Sequence, residues 1–330
     1  MRTAAAARAM LPVLCGLLGW FLAALSCRAG ETNQARSLVL VIGAPGEASY
    51  AASFQAAAGR WKAAAQTGGF RVRVVGEDAD RPEDDLQRLT AVLGEEVARP
   101  DGELWLVFLG HGTYDGRSAK FNLRGPDLTA TNLATLLKPC RRPLVVIQCA
   151  SASGAFLPPL SAPGRVIVTA TRSGNELNAT RFGDYLAAEL TDPAADLDRD
   201  GQTSLLEACL AAARKVGEFY QEQGRVLTEH MLVDDNGDGL GTPAAWFHGV
   251  RAIKPAAGGK AVDGLRANQI FLVPGAAERQ LSTPLRARRD QLEDQLAALR
   301  LRKAALAEAE YYQKIEAILS EIARLYETKP

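Results

Sequence analysis

Five short runs rich in apolar residues recur along the first half of the chain, and one of them, at residues 70–75, is interrupted by Arg71 and Arg73. The first covers residues 38–42 and ends at Gly43, and the third covers residues 104–109 and ends at Gly110. Runs of this length that are rich in Val, Leu and Ile are typical of strands buried on both faces of a parallel sheet. The pattern therefore predicts five strands, at residues 38–42, 70–75, 104–109, 144–148 and 165–170.

Segments with helical character lie between and after these runs. An Ala-rich stretch covers residues 50–66, and Pro82 opens another segment whose acidic first turn suits the helix macrodipole. Further helices are predicted at residues 128–138, 181–190 and 205–220. Strands that alternate with helices at this spacing imply an α/β fold, with a mostly parallel sheet covered by helices on both faces.

The C-terminal segment, residues 282–330, has a different pattern. No Gly occurs between residues 284 and 327, and Leu and Ile recur at spacings of three, four or seven. This pattern predicts one long amphipathic helix or a helical hairpin. Because Lys303 and Glu310 interrupt the apolar seam, the pattern does not decide between packing on the main domain and coiled-coil self-association with another chain. Residues 251–281, which precede it, are interpreted as a linker.

The first 29 residues have the layout of a secretory signal peptide. Arg2 and Arg8 precede an apolar run at residues 11–25, and small residues follow up to Ala29, after which cleavage is expected. The run is short for a retained membrane span. Cys27 lies in a distant match to a lipoprotein cleavage box, so acylation of Cys27 is the alternative. We predict a secreted or periplasmic protein with no stable membrane span after signal removal.

Charge and cysteine content narrow the function further. Lys plus Arg and Asp plus Glu number 38 each, so there is no electrostatic reason to expect a nucleic acid or an anionic membrane as partner. Three cysteines, Cys140, Cys149 and Cys209, remain after signal cleavage. An odd number in an oxidising compartment leaves at least one thiol unpaired within the chain.

Two short motifs follow the third and fourth predicted strands. Chemistry in parallel sheets gathers at the carboxyl ends of strands, and there the sequence places Gly110-His111-Gly112 and Cys149-Ala150-Ser151. His111 is the candidate general base, and the Gly112 N–H is a candidate donor to an oxyanion. The alternative interpretation of His111 is a buried structural histidine.

These motifs resemble those of the caspase and legumain clan of cysteine peptidases. Residues 106–112 are similar to the strand and His-Gly of that clan, residues 145–154 to its nucleophile strand, and residues 168–176 to the next strand in the legumain-like (peptidase C13-like) branch. The resemblance covers roughly residues 37–190. It implies a caspase-like α/β domain, here assigned to residues 37–250, that hydrolyses peptide bonds of a peptide or protein substrate.

The nucleophile departs from the clan pattern. In the clan it is usually the Cys of Cys-x-Ser-Gly, but this chain has Ser151 at that position and Cys149 two residues earlier. A thiol is activated by a neighbouring imidazolium alone, whereas a serine hydroxyl generally needs a base that a third group orients. Chemistry therefore favours Cys149, with Ser151 as the alternative nucleophile. A third alternative is a domain that kept the fold and lost the reaction, a calcium-stabilised binding or scaffold protein.

Two acidic loops follow the fifth predicted strand. Residues 196–207 fit the twelve-residue EF-hand loop, with oxygen donors at positions 1, 3, 5 and 9, Gly at 6 and Glu at 12. Residues 234–239 repeat the Asp-x-Asn-x-Asp-Gly half, but Ala245 stands at the twelfth position. A solvated acidic turn is the alternative for each. Together the loops predict structural Ca²⁺ bound by Asp196, Asp198, Asp200, Gln202, Ser204, Glu207, Asp234, Asn236 and Asp238.

Overall fold

A seven-stranded sheet lies at the centre of the computed structural model, which describes residues 36–77, 85–254 and 261–327. The signal peptide and Cys27 predicted from the sequence lie outside the described residues. The strands of the chain are β1 (Ser37–Ile42), β2 (Arg71–Val75), β3 (Leu104–Leu109), β4 (Gly112–Tyr114), β5 (Ala119–Phe121), β6 (Leu128–Thr129), β7 (Leu144–Gln148), β8 (Arg165–Thr169), β9 (Leu232–Asp234), β10 (Thr242–Pro243), β11 (Phe247–His248) and β12 (Arg251–Ala252).

The strand order in the central sheet is β10-β9-β8-β7-β3-β1-β2. The five strands predicted from the sequence pair in parallel, and β9 and β10 extend the sheet in the antiparallel sense. The predicted α/β class with a mainly parallel sheet is therefore confirmed. The sequence analysis did not foresee β9, β10 or the small sheet of β4, β5 and β6, because each of these strands is only two or three residues long.

Helices cover both faces of the sheet. They are α1 (Ala48–Thr67), α2 (Asp85–Val97), α3 (Ala130–Leu137), α4 (Leu157–Leu160), α5 (Phe182–Glu189), α6 (Leu205–Glu222), α7 (Leu265–Asn268), α8 (Ala276–Gln280), α9 (Thr283–Leu301) and α10 (Glu308–Glu327). α1, α5 and α6 pack on one face, which we call the α1 face, and α2, α3 and α4 pack on the other. Among the described residues, no helix combines the length and the apolar character that crossing a bilayer requires.

Strict alternation along the buried strands divides the core between the two faces. In β3, Trp105, Val107 and Leu109 point to the α1 face, and the residues between them point to the opposite face. In β7, Val145 and Ile147 also point to the α1 face. A two-residue period of this kind follows from the strand geometry, in which successive side chains point to opposite faces.

The described part of residues 251–281, which the sequence analysis assigned to a linker, packs on the sheet domain. Ala267 and Leu272 are fully buried and belong to the core of the α1 face. Leu205 N donates to the Ile270 carbonyl at 2.8 Å. Apolar burial and backbone hydrogen bonds thus hold this segment on the domain.

The C-terminal helices form the hairpin that was one of the two predicted alternatives. Arg288 Nε donates to Glu321 Oε1 at 2.9 Å and so joins α9 to α10. On the side of the main domain, the Arg289 guanidinium pairs with Glu278 of α8 and lies 5.8 Å from the centre of the Phe271 ring. The hairpin therefore contacts the segment that precedes it. Self-association through these helices stays a prediction.

Candidate active site

The carboxyl ends of three neighbouring strands meet at one edge of the sheet. Phe108 of β3 lies beside Gln148 of β7, and Gln148 lies beside Thr169 of β8. The Cys149 N–H then donates to the Phe108 carbonyl at 3.0 Å. The loops that begin at residues 110, 149 and 170 are therefore neighbours, as the sequence motifs required.

His111 lies at this edge in an aromatic environment. Its ring makes edge contacts with Tyr50 and Phe54 of α1, with ring centres 4.5 and 5.2 Å away. Its Nε2 lies 3.3 Å from the Pro45 carbonyl oxygen. Because a carbonyl only accepts, Nε2 carries the proton and Nδ1 is left as the acceptor. Burial is the main cause that lowers the pKa of His111 below its usual 6.5, so the imidazole is neutral at pH 7.

The Pro45 carbonyl is the orienting group that sequence reasoning did not find. It lies on the loop after β1, 66 residues before His111. The sequence analysis looked for a carboxylate close to His111 in the chain, whereas a backbone carbonyl leaves no mark in a sequence. A base whose tautomer and orientation are fixed by a third group is what a hydroxyl nucleophile requires.

Gly112 lies against the backbone of Ser151. A Cβ placed on Gly112 would fall 2.2 Å from the Ser151 carbonyl oxygen and 3.1 Å from the Lys120 carbonyl oxygen. Only glycine tolerates so close an approach of two backbone segments. The fold thus brings Gly112 against Ser151, the residue that the sequence analysis gave as the alternative nucleophile.

Ser151 is enclosed by the loop that follows β8. Only 2% of its surface is exposed, and its hydroxyl donates to the Asn178 carbonyl at 2.9 Å. The next residue, Ala152, has φ of 56°, a left-handed conformation that is uncommon for a residue with a Cβ. The Ala152 N–H donates to the Glu176 carbonyl at 2.8 Å. The turn at residues 151–152 is therefore held from outside by residues 176–178.

Cys149 lies at the same edge, but its side chain belongs to the core of the α1 face. It continues the alternation of Val145 and Ile147 and is 3% exposed. A Cβ placed on Gly183 of α5 would fall 2.7 Å from the Cys149 Cβ, so α5 covers the thiol closely. This burial raises the pKa of Cys149 well above its ordinary value. A thiol held neutral and covered in this way does not suit the nucleophile role that the sequence analysis favoured for it.

The three cysteines in the described residues form no disulfide. Cys140, Cys149 and Cys209 are all free thiols. Burial also raises the pKa of Cys209. The two buried thiols behave as small apolar side chains of the core.

Glu176 joins three loops at this edge of the sheet. Its Oε1 lies 2.6 Å from His230 Nδ1, and its Oε2 accepts from the backbone N–H groups of His230 at 3.2 Å and Arg172 at 2.9 Å. The Glu176 carbonyl also accepts from the Ala152 N–H. Glu176 therefore connects the loop after β7, the loop after β8 and the chain that enters β9. Sequence reasoning gave Glu176 and His230 no role, because their separation of 54 residues hides the pair.

The first acidic loop has the hydrogen bonds expected of an EF-hand turn. Carboxylate oxygens of Asp196, Asp198 and Glu207 lie within 4.8 Å of one another. The Gly201 N–H donates to Asp196 Oδ2 at 3.0 Å, and Glu207 Oε1 accepts from the N–H groups of Leu197 and Asp198 at 2.8 and 3.1 Å. Carboxylates at positions 1, 3 and 12 of the loop therefore lie near one point, and both Glu207 oxygens accept backbone N–H groups.

The other predicted ligands of this loop already have protein partners. The Ser204 hydroxyl accepts from the Glu207 N–H at 3.2 Å and caps α6, and it also donates to Asn268 Oδ1. The Gln202 side chain donates to Asp200 Oδ2 at 3.1 Å and accepts from the Gly275 N–H at 3.0 Å. Of the six predicted ligands of this loop, three have carboxylates near one point. Ser204 instead caps α6, and Gln202 bonds to neighbouring loops.

The second acidic loop repeats part of this hydrogen-bond pattern. Asp234 accepts from the Gly237 and Gly239 N–H groups at 2.9 and 3.1 Å. Asn236 Oδ1 accepts from the Asp238 N–H at 2.9 Å, and Asp238 Oδ1 accepts from the Leu240 N–H. The bond from Gly239 corresponds to the bond from Gly201 in the first loop, since both join position 6 to position 1.

Asp263 occupies the place in the second loop that Glu207 occupies in the first. Its Oδ1 accepts from the N–H groups of Asp235 and Asn236, positions 2 and 3, at 3.1 and 3.3 Å. Its Oδ2 accepts from the Thr242 hydroxyl at 2.6 Å. Burial, with Asp235 and Asp234 nearby, raises the pKa of Asp263 to about 7. Sequence reasoning missed this residue because it looked for the twelfth position at Ala245, within the loop itself.

Comparisons with known proteins give partial structural likeness only. No family model matches the sequence, and no curated protein matches it. Among solved structures, caspase-1 from Spodoptera frugiperda is 12% identical with a TM-score of 0.41 over 62% of this chain and 87% of that chain. The Drosophila initiator caspase Dronc is 15% identical with a TM-score of 0.44, over 62% and 82%. A Geobacter sulfurreducens protein is 14% identical with a TM-score of 0.39, over 55% and 89%.

Proposed function

We propose that this protein hydrolyses peptide bonds, with His111 as the general base and the Ser151 hydroxyl as the nucleophile. The observation that carries the proposal is the contact of Gly112 with the Ser151 backbone, next to an imidazole that the Pro45 carbonyl orients. An oriented base, a hydroxyl and a backbone N–H donor are the three parts that acyl transfer needs. The Cys149 side chain belongs to the core of the α1 face, whereas Ser151 lies against Gly112, and this difference in position is the reason to prefer Ser151 over the thiol.

The reaction uses side-chain and backbone groups of this chain in its first half and also a water molecule in its second. The Ser151 hydroxyl exchanges the Asn178 carbonyl for His111 Nδ1, and its oxygen bonds to the scissile carbonyl carbon as the proton passes to Nδ1. The Gly112 N–H faces the oxygen that becomes negative. His111 returns the proton to the leaving amine as the C–N bond breaks, which leaves an ester on Ser151. A water molecule that gives its proton to His111 then cleaves this ester and restores the hydroxyl.

Replacing His111 tests the proposal against an internal control. His111→Ala is expected to lower kcat/KM for a fluorogenic peptide library by about 10³-fold or more, because the base is lost. The exposed His248 in the same chain is the matched control, and His248→Ala is expected to change kcat/KM by less than about twofold. Equal losses for the two variants would show that His111 has no special part in the reaction.

The pH profile gives a second readout of the same residue. The pKa of His111 lies below 6.5, and the base acts in its neutral form, so kcat/KM is expected to fall on the acid side with a midpoint below pH 6.5. An acid limb centred above pH 6.5 would contradict the assignment of His111 as the base.

A second candidate function is favoured by the enclosure of both candidate nucleophiles. Ser151 is bonded to the Asn178 carbonyl and Cys149 is covered by α5. A domain of this kind that cleaves no peptide would act as a binding or scaffold protein. Absence of turnover by the wild-type chain, with and without Ca²⁺, supports this second function over the first.

We also propose that Ca²⁺ stabilises the region after β8. The first loop supports this, because its three convergent ligands are carboxylate oxygens, which Ca²⁺ prefers. The first site uses Asp196, Asp198 and Glu207, with Asp200 adjacent. The second uses Asp234, Asn236 and Asp238, with Asp263 in place of the missing Glu at the twelfth position. Export, and acylation of Cys27, stay predictions of the sequence.

Calcium is expected to raise the thermal midpoint of the full chain. A ligand at a hundredfold excess over its Kd adds about 2.7 kcal/mol to the folded state, which corresponds to a rise of roughly 5–10 °C in Tm. Asp196→Asn and Asp263→Asn are each expected to remove part of the rise, while Asp101→Asn, an exposed control, leaves it intact. Scanning calorimetry in Ca²⁺, in Mg²⁺ and in chelator measures the effect. A Tm that is the same in Ca²⁺ and in chelator would overturn the calcium proposal.

A further inference from the structure

A short segment of chain, residues 176–181, covers Ser151, and we call this segment the strap. Ser151 is only 2% exposed, and its hydroxyl is bonded to the Asn178 carbonyl of the strap. Attack on a peptide requires the scissile carbonyl carbon to lie about 3–3.5 Å from the hydroxyl oxygen. The strap must therefore move away from Ser151 before a substrate can react there. Its outer side faces solvent, since Leu177 is 57% exposed and Asn178 is also exposed.

The inner side of the strap is bonded to the turn at residues 149–152. Besides the bond from the Ser151 hydroxyl, the Glu176 carbonyl accepts from the Ala152 N–H at 2.8 Å. The Thr180 hydroxyl donates to the Cys149 carbonyl. These bonds extend along most of the strap, so the strap and the turn that carries the candidate nucleophile are joined at several points.

The other side of the strap is bonded to residues 228–230, which precede β9. The Arg181 N–H donates to both oxygens of the Glu229 carboxylate, at 3.1 and 2.9 Å. The Asn178 side-chain amide donates to the Thr228 hydroxyl at 3.0 Å. The strap is thus held between the nucleophile turn and this second segment.

The bonds to residues 228–230 depend on side chains, whereas the bonds to Ser151 and Ala152 use backbone carbonyls of the strap. The Glu176 carboxylate bonds to both the ring and the backbone N–H of His230. A substitution on this side therefore weakens the hold on the strap and leaves unchanged the backbone groups that face the nucleophile.

We propose that residues 176–181 are an autoinhibitory strap, which covers Ser151 in the resting chain and uncovers it when the bonds to residues 228–230 break. The inference rests on the proposed peptide hydrolase and deepens it, since it names how access to the nucleophile is regulated. In the resting chain the strap opens transiently, so Ser151 reacts slowly with substrates and with covalent reagents.

The first test is the rate at which a fluorophosphonate modifies Ser151 in the full chain. Asn178→Ala removes the bond to Thr228 and keeps the backbone carbonyl, so it is expected to raise this rate about two- to tenfold, the factor that one hydrogen bond contributes. Glu229→Gln keeps the shape of the side chain but removes its charge, and is expected to raise the rate about tenfold or more.

The same loop provides a matched control. Asn175 is exposed, and its side chain makes no hydrogen bond to any other described residue. Asn175→Ala is therefore expected to change the labelling rate by less than about twofold. Circular dichroism verifies that each variant is folded. Where Glu229→Gln is not folded, the exposed substitution Asn178→Ala decides.

Amide hydrogen exchange follows the strap without any reaction at Ser151. The Ala152 N–H is bonded to the strap and the Arg181 N–H to Glu229, so opening of the strap as one unit exposes both amides. In Asn178→Ala both amides are expected to exchange about two- to tenfold faster than in the wild type, while the amides of β7 keep their rates. Mass spectrometry at single-residue resolution measures these rates.

The outcomes separate this inference from the proposed function. Measurable labelling at equal rates in the wild type and Asn178→Ala would overturn the strap, as would faster exchange at Arg181 with unchanged exchange at Ala152. Faster exchange at both amides, in a chain that hydrolyses no peptide and whose Ser151 is never labelled, would keep the strap as a cover and overturn the hydrolase. Peptide hydrolysis that is equally fast in the wild type, Asn178→Ala and Glu229→Gln would keep the hydrolase and overturn the strap.

Discussion

Ser151→Ala is expected to lower kcat/KM for peptide hydrolysis by about 10³-fold or more, whereas Cys149→Ala leaves it within about twofold. Removal of a nucleophile eliminates the covalent route, and the residual rate comes from binding and from the oxyanion donor alone. Cys149 lies in the core of the α1 face and takes no part in the proposed reaction. Its loss is instead expected to lower the free energy of unfolding by about 1–2 kcal/mol, because a small cavity remains beneath α5.

Each variant therefore carries its own control. The kinetic assay and a urea unfolding curve are measured for both variants. We expect Ser151→Ala to lose activity and keep its stability, and Cys149→Ala to lose stability and keep its activity. Loss of activity in Cys149→Ala with normal activity in Ser151→Ala would mean that α5 moves to expose the thiol. That result would identify Cys149 as the nucleophile.

Arg142→Met is expected to lower the free energy of unfolding by about 1–3 kcal/mol, the cost of leaving buried acceptors without a donor, because Glu96 keeps its ion pair with Arg71. Arg142 is 4% exposed at the amino edge of the sheet, where its Nη2 donates to the Ser37 hydroxyl at 2.7 Å. Its Nη1 lies 3.6 Å from Glu96 Oε2, and the Glu96 side chain is fully buried. The apolar substitution would leave Glu96 and the neighbouring acceptors less compensated inside the protein.

The adjacent residue gives a matched control for this prediction. Arg141 is exposed, so Arg141→Met removes the same charge with the same substitution and is expected to change the free energy of unfolding by less than about 0.5 kcal/mol. Urea unfolding followed by circular dichroism measures both variants. Equal stabilities of the two would show that the buried cluster around Glu96 contributes nothing net to the fold.

The strands of the parallel sheet could be predicted because their signal is local. Four of the five runs are buried on both faces, β2 at the sheet edge is only partly buried, and the observed bounds of β3 and β7 match the predicted ones residue for residue. The helices α5 and α6 were found in the same way from their periodicity. The short strands β9 and β10 have no such local signal. They are defined by their pairing, β9 with the edge of β8 and β10 with β9, which exists only in the folded sheet.

The position of the candidate site at the sheet edge could be predicted from the sequence, but the contacts between its residues could not. The carboxyl ends of strands located His111, Gly112, Cys149 and Ser151 correctly at one edge. The sequence analysis treated Cys149 and Ser151 as residues of one strand that share a face. β7 ends at Gln148, however, and the left-handed turn at Ala152 directs the chain away. Tertiary packing therefore decided which side chain enters the core of the α1 face and which residue meets Gly112.

Three further residues depend on long-range contacts that no local pattern reveals. Pro45 acts through its backbone carbonyl, Glu176 joins loops that are far apart in the chain, and Asp263 reaches the second acidic loop from outside it. Each contact spans between 27 and 66 residues of sequence. Without an alignment or coordinates, a single sequence holds no record of such pairings.

Site-mapped labelling with a fluorophosphonate tests the central claim most directly. This reagent forms a covalent bond with a serine hydroxyl that an adjacent base has activated, and peptide mass spectrometry identifies the modified residue. The account predicts one adduct, on Ser151, that His111→Ala abolishes and His248→Ala does not. An unlabelled Ser151 in a folded wild-type chain, or an adduct that forms equally well without His111, would contradict it.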